Sequence, residues 1–343
     1  MATPTDPPSE HAPPGPRRLA RAAWRALKAG CLVAALVHPF AAALSRHFWL
    51  ADLLSHFQEP ALLVTLLALA LTIAGNRRLA LGLALLAAFQ VVPLVRYSGA
   101  NPVPADPRSP DRLRVLMANV LFENWSHAEL TDLIRTEKPD VIGLVEFTAD
   151  WREGLGSVRA DYPYRMEYPA EASGLALWLR KAPRTLDAPE WLVPGRNPVI
   201  HAAIEFAGRE RHVWVVHPTS PIKLRAWQAG NPELYAIARR VRKTGGSRVV
   251  VGDMNSTDGS AHFGDFLRVS GLRDSRLGFG RQGSWPTDLP YRLAIDHAFV
   301  SDDLAVVDRR LGPPSGSDHF SLLVDLAPAP ATNHATQASA SSP

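Results

Sequence analysis

The sequence predicts an α/β (α+β) domain of two β-sheets packed face to face with helices outside, preceded by about three transmembrane helices. Three observations predict it. Residues 111–327 alternate short β-rich apolar runs with segments of helical period. Residues 17–95 hold long apolar stretches at about 29–45, 60–75 and 79–95, each near the lower length limit for a membrane-crossing helix. Several strands of the C-terminal region run out on a carboxylate, carboxamide or imidazole, which is where an α/β scaffold presents side chains for chemistry.

The chain divides by composition. Residues 1–16 and 328–343 are rich in Pro, Ala and Ser without apolar periodicity and read as disordered. The second and third apolar stretches, joined by Asn76-Arg77-Arg78, read as a transmembrane hairpin. The first contains His38 and Pro39, and a cleavable signal peptide competes with a retained span there. Arg17, Arg18, Arg21, Arg25 and Lys28 precede it, and Arg77-Arg78 fill the hairpin turn. Placing both basic groups in the cytoplasm puts everything after Val95 on the extracytoplasmic side of the cell membrane. Phe48 to Phe57 has an amphipathic look and is expected to lie along the outer interface. Residues 96–110 hold four prolines and read as an extended linker.

The net charge of +4 is unevenly spread. Residues 1–110 carry 10 Lys/Arg and 5 Asp/Glu, leaving 27 and 28 for residues 111–343. A near-neutral C-terminal domain argues against a duplex-binding surface, because phosphate neutralisation dominates nucleic-acid affinity. Cys31 is the only cysteine, so an intramolecular disulfide is excluded, and its apolar surroundings predict a buried thiol.

Within 111–327 the predicted strands are Leu113 to Val120, Val141 to Glu146, Leu175 to Leu179, Val199 to Phe206, His212 to His217, Val249 to Gly252, Ile295 to Val300 and Phe320 to Leu326. Helices are expected after a Ser126/Glu129 capping box, from Pro232 through Arg242, and from Ala261 to a stop at Gly271. The segments Gly252-Asp253-Met254-Asn255, Ile295-Asp296-His297 and Ser317-Asp318-His319 offer three carboxylates, a carboxamide and imidazoles. Such a set can hold a hard divalent cation through oxygen and leave a base for water, which points to metal-dependent cleavage of a phosphate ester.

Asn119 at a strand end, Glu146 after Val-Ile-Gly-Leu-Val, His217 after Val-Trp-Val-Val, and the three segments above follow one another along the chain. In that order they resemble the endonuclease/exonuclease/phosphatase (DNase I-like) superfamily over essentially all of 111–327. The resemblance implies a four-layer α/β sandwich with the site where the strand ends of two sheets meet. It implies Glu146 as central Mg²⁺ ligand, with Asn119 and Asp318 completing the shell directly or through water, and Mn²⁺ as an alternative ion. His319 is then the general base, oriented by Asp296. Asp253 and Asn255 align the attacking water and a phosphate oxygen, and His217 sits across the scissile phosphate. Arg225 is a candidate phosphate clamp. Val145 and Leu121 stand where some relatives carry Gln and an acidic residue. His201, His212, His262 and His297 receive no role.

The membrane-anchored layout is similar to that of bacterial vancomycin or teicoplanin resistance membrane proteins. That likeness implies a lipid-linked phosphate or pyrophosphate as substrate. Two alternatives stand beside it: an outward-facing nuclease, for which Arg239, Arg240 and Lys243 form the densest basic cluster, and a binding module that kept the fold without turnover.

Overall fold

The computed structural model describes residues 16–103, 105 and 110–330. The segments predicted to be disordered therefore lie outside the described residues, except for Pro16 and residues 328–330, as do residues 104 and 106–109 of the predicted linker.

Four helices open the chain: α1 (Pro16–Leu44), α2 (Trp49–Ser55), α3 (Gln58–Thr72) and α4 (Arg77–Val95). Among the described residues, 16–38 and Glu59–Val91 form one unit, and Pro39–Gln58 with those from Val92 to 330 form a second. In the first, Cys31, Ala35, Ala68 and Leu83 make a small buried cluster, which accounts for the buried thiol. Val33, Leu63, Leu81, Leu85 and Phe89 are exposed, an outward apolar surface that suits lipid better than water. Two helical segments, Pro16–Leu44 and Arg77–Ser98, are long and apolar enough to cross a membrane. The predicted span at 60–75 differs: α3 has 15 residues and reaches spanning length only together with α2, from which it is bent by 77°. The bend falls where Asp52, Ser55, His56 and Gln58 are buried, and a straight apolar helix could not serve those polar groups.

The second unit contains two six-stranded sheets. The first is built from β1 (Leu113–Asn119), β2 (Val141–Val145), β3 (Tyr164–Tyr168) and β4 (Leu175–Leu179), together with β11 (Leu304–Leu311) and β12 (Leu322–Pro328), in the order β11-β12-β1-β2-β4-β3. The second holds β5 (Thr185–Leu186), β6 (Val199–Phe206), β7 (Arg209–Val216), β8 (Ser247–Asp253), β9 (Arg273–Asp274) and β10 (Asp296–Val300), in the order β5-β6-β7-β8-β10-β9. One parallel pair lies inside each sheet, β1 with β2 and β7 with β8, so adjacent strands there end on the same side.

Alternate residues of the inner strands (Val115, Met117, Leu175, Leu177, Val213, Val215, Val249, Val251) meet between the sheets in one core. The opposite faces pack against helices: α5 (His127–Glu137), α6 (Ala149–Gly154) and α7 (Gly156–Arg159) on the first sheet, α8 (Leu224–Thr244) and α9 (Ala261–Ser270) on the second. The strands are thus buried on both faces, which is why they read as continuous apolar runs. The result is the expected four-layer sandwich.

Local differences have local causes. α8 begins at Leu224 and carries Pro232 inside it, and Trp227 in its first turn donates through Nε1 to Asp52. Ser126 occupies the N-cap of α5, but at ψ 82° its hydroxyl makes no capping bond and the predicted box does not form. α9 ends as expected, on a left-handed Gly271. The linker is not extended at its start: Tyr97 is buried with its ring 4.1 Å from the Arg276 guanidinium, and its carbonyl accepts from the N–H groups of Gly278 and Gly280. The edge strands β3, β5, β9 and β11 are too short or too irregular in pattern to announce themselves in sequence; β11 carries a register break between Val306 and Asp308.

Candidate active site

The site lies where β1, β2, β7 and β8 end and β10 begins. Asn119 is the last residue of β1 and pairs in register with Val145, so Glu146 emerges beside it. Asp253, the last residue of β8, is directly opposite Asp296, the first of β10. His217 follows β7, whose Val216 pairs with Gly252. Gly252 is needed there: a Cβ would sit 1.8 Å from the Val216 carbonyl oxygen. Asp318 and His319 come from the loop that leads into β12 of the other sheet.

Asn119 Nδ2 joins the sheets, donating to Glu146 Oε1 at 2.9 Å and to Asp253 Oδ2 at 3.1 Å. Its Oδ1 accepts from the Leu121 N–H at 3.0 Å. In this arrangement Asn119 braces two carboxylates and offers its amide nitrogen, not an oxygen, toward them. Glu146 also accepts from the Phe122 N–H at 3.3 Å. Both Glu146 (φ 58°) and Asn255 (φ 50°) hold left-handed backbone, a strain of about 1 kcal/mol or more apiece that accumulates at functional sites. Asn255 N–H donates to Asp253 Oδ1 at 2.8 Å and its side chain to the Pro218 carbonyl at 3.1 Å.

His319 Nδ1 lies 2.8 Å from Asp296 Oδ2, and its Nε2 is 3.8 Å from both Asp253 Oδ2 and Asp318 Oδ1. Burial works against the charged imidazole, but Asp296, Asp253 and Asp318 outweigh it and push His319 up to about 10. Sequence reasoning assumed an imidazole near neutrality; the crowd of carboxylates is the reason for the difference. His217 Nε2 is 3.6 Å from Asp253 Oδ2, and although burial again opposes charge, that partner raises its pKa. Burial would raise Asp253, yet His217 and His319 hold it down at about 2.

Eight of the nine predicted site residues line one cavity or stand within hydrogen-bonding reach of its wall at this end. The cavity, of about 710 Å³, is lined by Glu146, His217, Asp253, Asn255, Asp318 and His319, with Asn119 bonded to two of them. Asp296 is buried behind His319. Arg225 is not brought in: it is exposed near the start of α8 and does not line the cavity, so the phosphate-clamp expectation is not met in this structure. His297 points to the other face of its sheet, where its Nε2 sits 2.9 Å from the Ser256 carbonyl. Trp285 Nε1 donates to Asp318 Oδ2 at 2.8 Å.

Sequence reasoning missed Asn197, whose Nδ2 holds the His217 carbonyl at 2.6 Å, and Leu53, His56 and Phe57, which line the cavity from the segment around α2. The signal for the latter was a set of polar residues, Asp52, Ser55 and His56, spaced along an apolar stretch.

The donor set suits a hard divalent cation. One ligand atom each from Glu146, His217 and Asp253 lies within 4.8 Å of the others, and Asp318 Oδ1 is buried without a hydrogen-bond partner. A second grouping, Asp253 with Asp296 and His319, is already engaged as an ion pair.

Residues 118–319 match the Endonuclease/Exonuclease/phosphatase family. No curated protein sequence matches the chain. Solved structures share the fold: D. rerio TDP2 complexed with single strand DNA product (17% identity, TM-score 0.53, 63% of this chain and 99% of that one), an endonuclease/exonuclease/phosphatase from Bacteroides vulgatus (15%, 0.53, 63% and 99%), and the human Nocturnin catalytic domain with bound sulfate anion (20%, 0.50, 64% and 95%). The chain belongs to the endonuclease/exonuclease/phosphatase family and is a metal-dependent hydrolase of phosphoric ester bonds.

Proposed function

We propose that the protein is a membrane-anchored, extracytoplasmic, Mg²⁺-dependent phosphohydrolase that cleaves a lipid-linked phosphate ester or pyrophosphate. The observation that carries the reading is the lining of the cavity. Carboxylates and imidazoles meet at the strand ends, apolar Leu53, Phe57, Ile222, Leu293 and Ile295 line the same cavity beside a few neutral polar side chains and Glu171, and no lysine or arginine is among the lining residues described. A nucleic-acid strand needs cations along its backbone. The Arg239–Lys243 cluster does not supply them at the cavity, and Arg240 is engaged with Glu190 and the Trp214 ring. The apolar helices that precede the catalytic unit support a substrate found at a bilayer.

Glu146 and Asp253, with Asp318, are the residues that would hold the cation, and Asn119 orients the first two. When bound, the cation polarises the phosphoryl oxygens and offsets the negative charge around His319. His319 Nε2 takes a proton from the attacking water, while Asp296 fixes Nδ1 and stabilises the imidazolium. The water oxygen forms a bond to phosphorus as the bond to the leaving oxygen breaks, and His217 stands ready to protonate that oxygen or share its charge. Asn255 and Asp253 position the reacting groups.

The test is a substrate panel on detergent-solubilised full-length protein: polyprenyl pyrophosphate, phosphoinositide, sphingomyelin and plasmid DNA, each with Mg²⁺ and with EDTA. Turnover of a lipid phosphate that EDTA abolishes is expected. Preferential cutting of plasmid would replace this reading with the nuclease one. A reporter fused after residue 110 and active only in the cytosol would overturn the orientation.

A further inference from the structure

Helix α2 is amphipathic in the reverse of the usual sense. Its polar side faces the catalytic body: Asp52, 3% exposed, accepts from Trp227 Nε1 at 2.9 Å and from Ser260 Oγ at 2.6 Å. Just beyond it, His56 Nδ1 lies 2.9 Å from Thr257 Oγ1 and Gln58 Oε1 accepts from Arg281 at 3.0 Å. Apolar side chains turn outward instead, with Phe48, Leu50 and Phe57 at 58%, 57% and 40% exposure.

This outward surface continues into the active site. Trp49 Nε1 donates to the Pro221 carbonyl at 2.9 Å, which sets the helix beside a loop whose Ile222 is itself exposed. Leu53, Phe57 and Ile222 then line the same cavity that Glu146, Asp253 and His319 close. An apolar surface left open to water is unfavourable unless something covers it. Because exposed Phe57 and Ile222 also line the catalytic cavity, the occupant that fits this surface is joined to the phosphate being cleaved.

We propose that Leu53, Phe57 and Ile222 form a binding site for the hydrocarbon chain of the substrate, and that the elbow around α2, with the loop that carries Ile222, sets a preference for long-chain phosphate esters. The proposal rests on the lipid-phosphate reading above and adds which residues sense the chain. Each methylene taken from water is worth about fourfold in affinity, so preference should climb with chain length until the wall is filled.

The experiment measures kcat/KM for dimethylallyl, geranyl and farnesyl pyrophosphate with full-length protein in detergent. Wild type is expected to prefer the longer chains. Phe57→Asn should cut the farnesyl-to-dimethylallyl ratio by about tenfold, and Phe57→Leu, which keeps the apolar character, should restore most of it. A preference that survives in both Phe57→Asn and Leu53→Asn overturns the elbow assignment alone. A ratio lost in Phe57→Asn and not recovered in Phe57→Leu also overturns it. A wild type indifferent to chain length overturns the lipid reading itself.

Discussion

His319, from the loop that leads into the first sheet, and Asp296, from the second sheet, meet across the site with Nδ1 2.8 Å from Oδ2. Asp296 opens β10 of the second sheet, and His319 precedes β12 of the first. The pair therefore depends on the packing of the whole sandwich and ties its two halves together at the catalytic end.

His319→Ala is expected to lower kcat by about 10³-fold, and Asp296→Asn by about 10²-fold, on a chromogenic phosphodiester in Mg²⁺. The second effect comes through lost orientation of the imidazole, so it should appear in kcat with little change in KM. Steady-state kinetics check both. Full activity in His319→Ala would remove it as the base.

Much of this site was legible in the sequence because it sits at strand ends. An apolar run that stops on Asn119, Glu146 or Asp253 is visible without coordinates, and the parallel pairs then bring the ends together. What was not legible depends on long-range contacts. Arg225 is exposed near the start of α8, where Trp227 reaches Asp52, 175 residues away. The cavity wall at Leu53 and Phe57 was hidden for the same reason: its segment is amphipathic and near the spans, and the face of Asp52, Ser55 and His56 packs on protein where an interface with water was expected. The pKa of His319 was not legible because Asp253 and Asp296 converge on it from other strands, adding to its neighbour Asp318.

Glu146→Gln keeps the shape of its side chain and removes the charge that a cation would meet. The Mg²⁺ concentration for half-maximal activity should rise tenfold or more, with partial recovery at high Mg²⁺. Binding to the folded state also stabilises it in proportion to occupancy, by about 2.7 kcal/mol at a hundred times Kd. A Mg²⁺-dependent rise in Tm is therefore expected in wild type and should be lost in Glu146→Gln. Equal shifts in the two proteins would move the cation elsewhere.

His297 supplies a pH dependence distinct from catalysis. It is fully buried against Phe263 and Phe299, and burial lowers its pKa from 6.5 to about 4. Between those values the unfolded chain binds a proton that the folded chain does not, so stability is complete above pH 6.5 and falls as pH drops toward 4. The total is on the order of 3 kcal/mol. His297→Gln, which can still donate to the Ser256 carbonyl, should flatten the slope of Tm against pH across this window. An unchanged slope would assign the acid sensitivity to other groups.

The attachment of α2 can be broken in two independent ways. Asp52→Ala leaves the Trp227 indole and the Ser260 hydroxyl without their acceptor in a buried place, at a cost of about 1–3 kcal/mol. Gly259→Ala acts by shape, since a Cβ there would lie 2.0 Å from the Ser55 carbonyl oxygen and push the elbow away. Both variants should expose the chain between Arg46 and Gln58 to limited proteolysis and weaken any chain-length preference, while Mg²⁺ still raises Tm because the carboxylates are untouched. If either variant resists protease as well as wild type does, the elbow is held by something other than Asp52 and the close approach at Gly259.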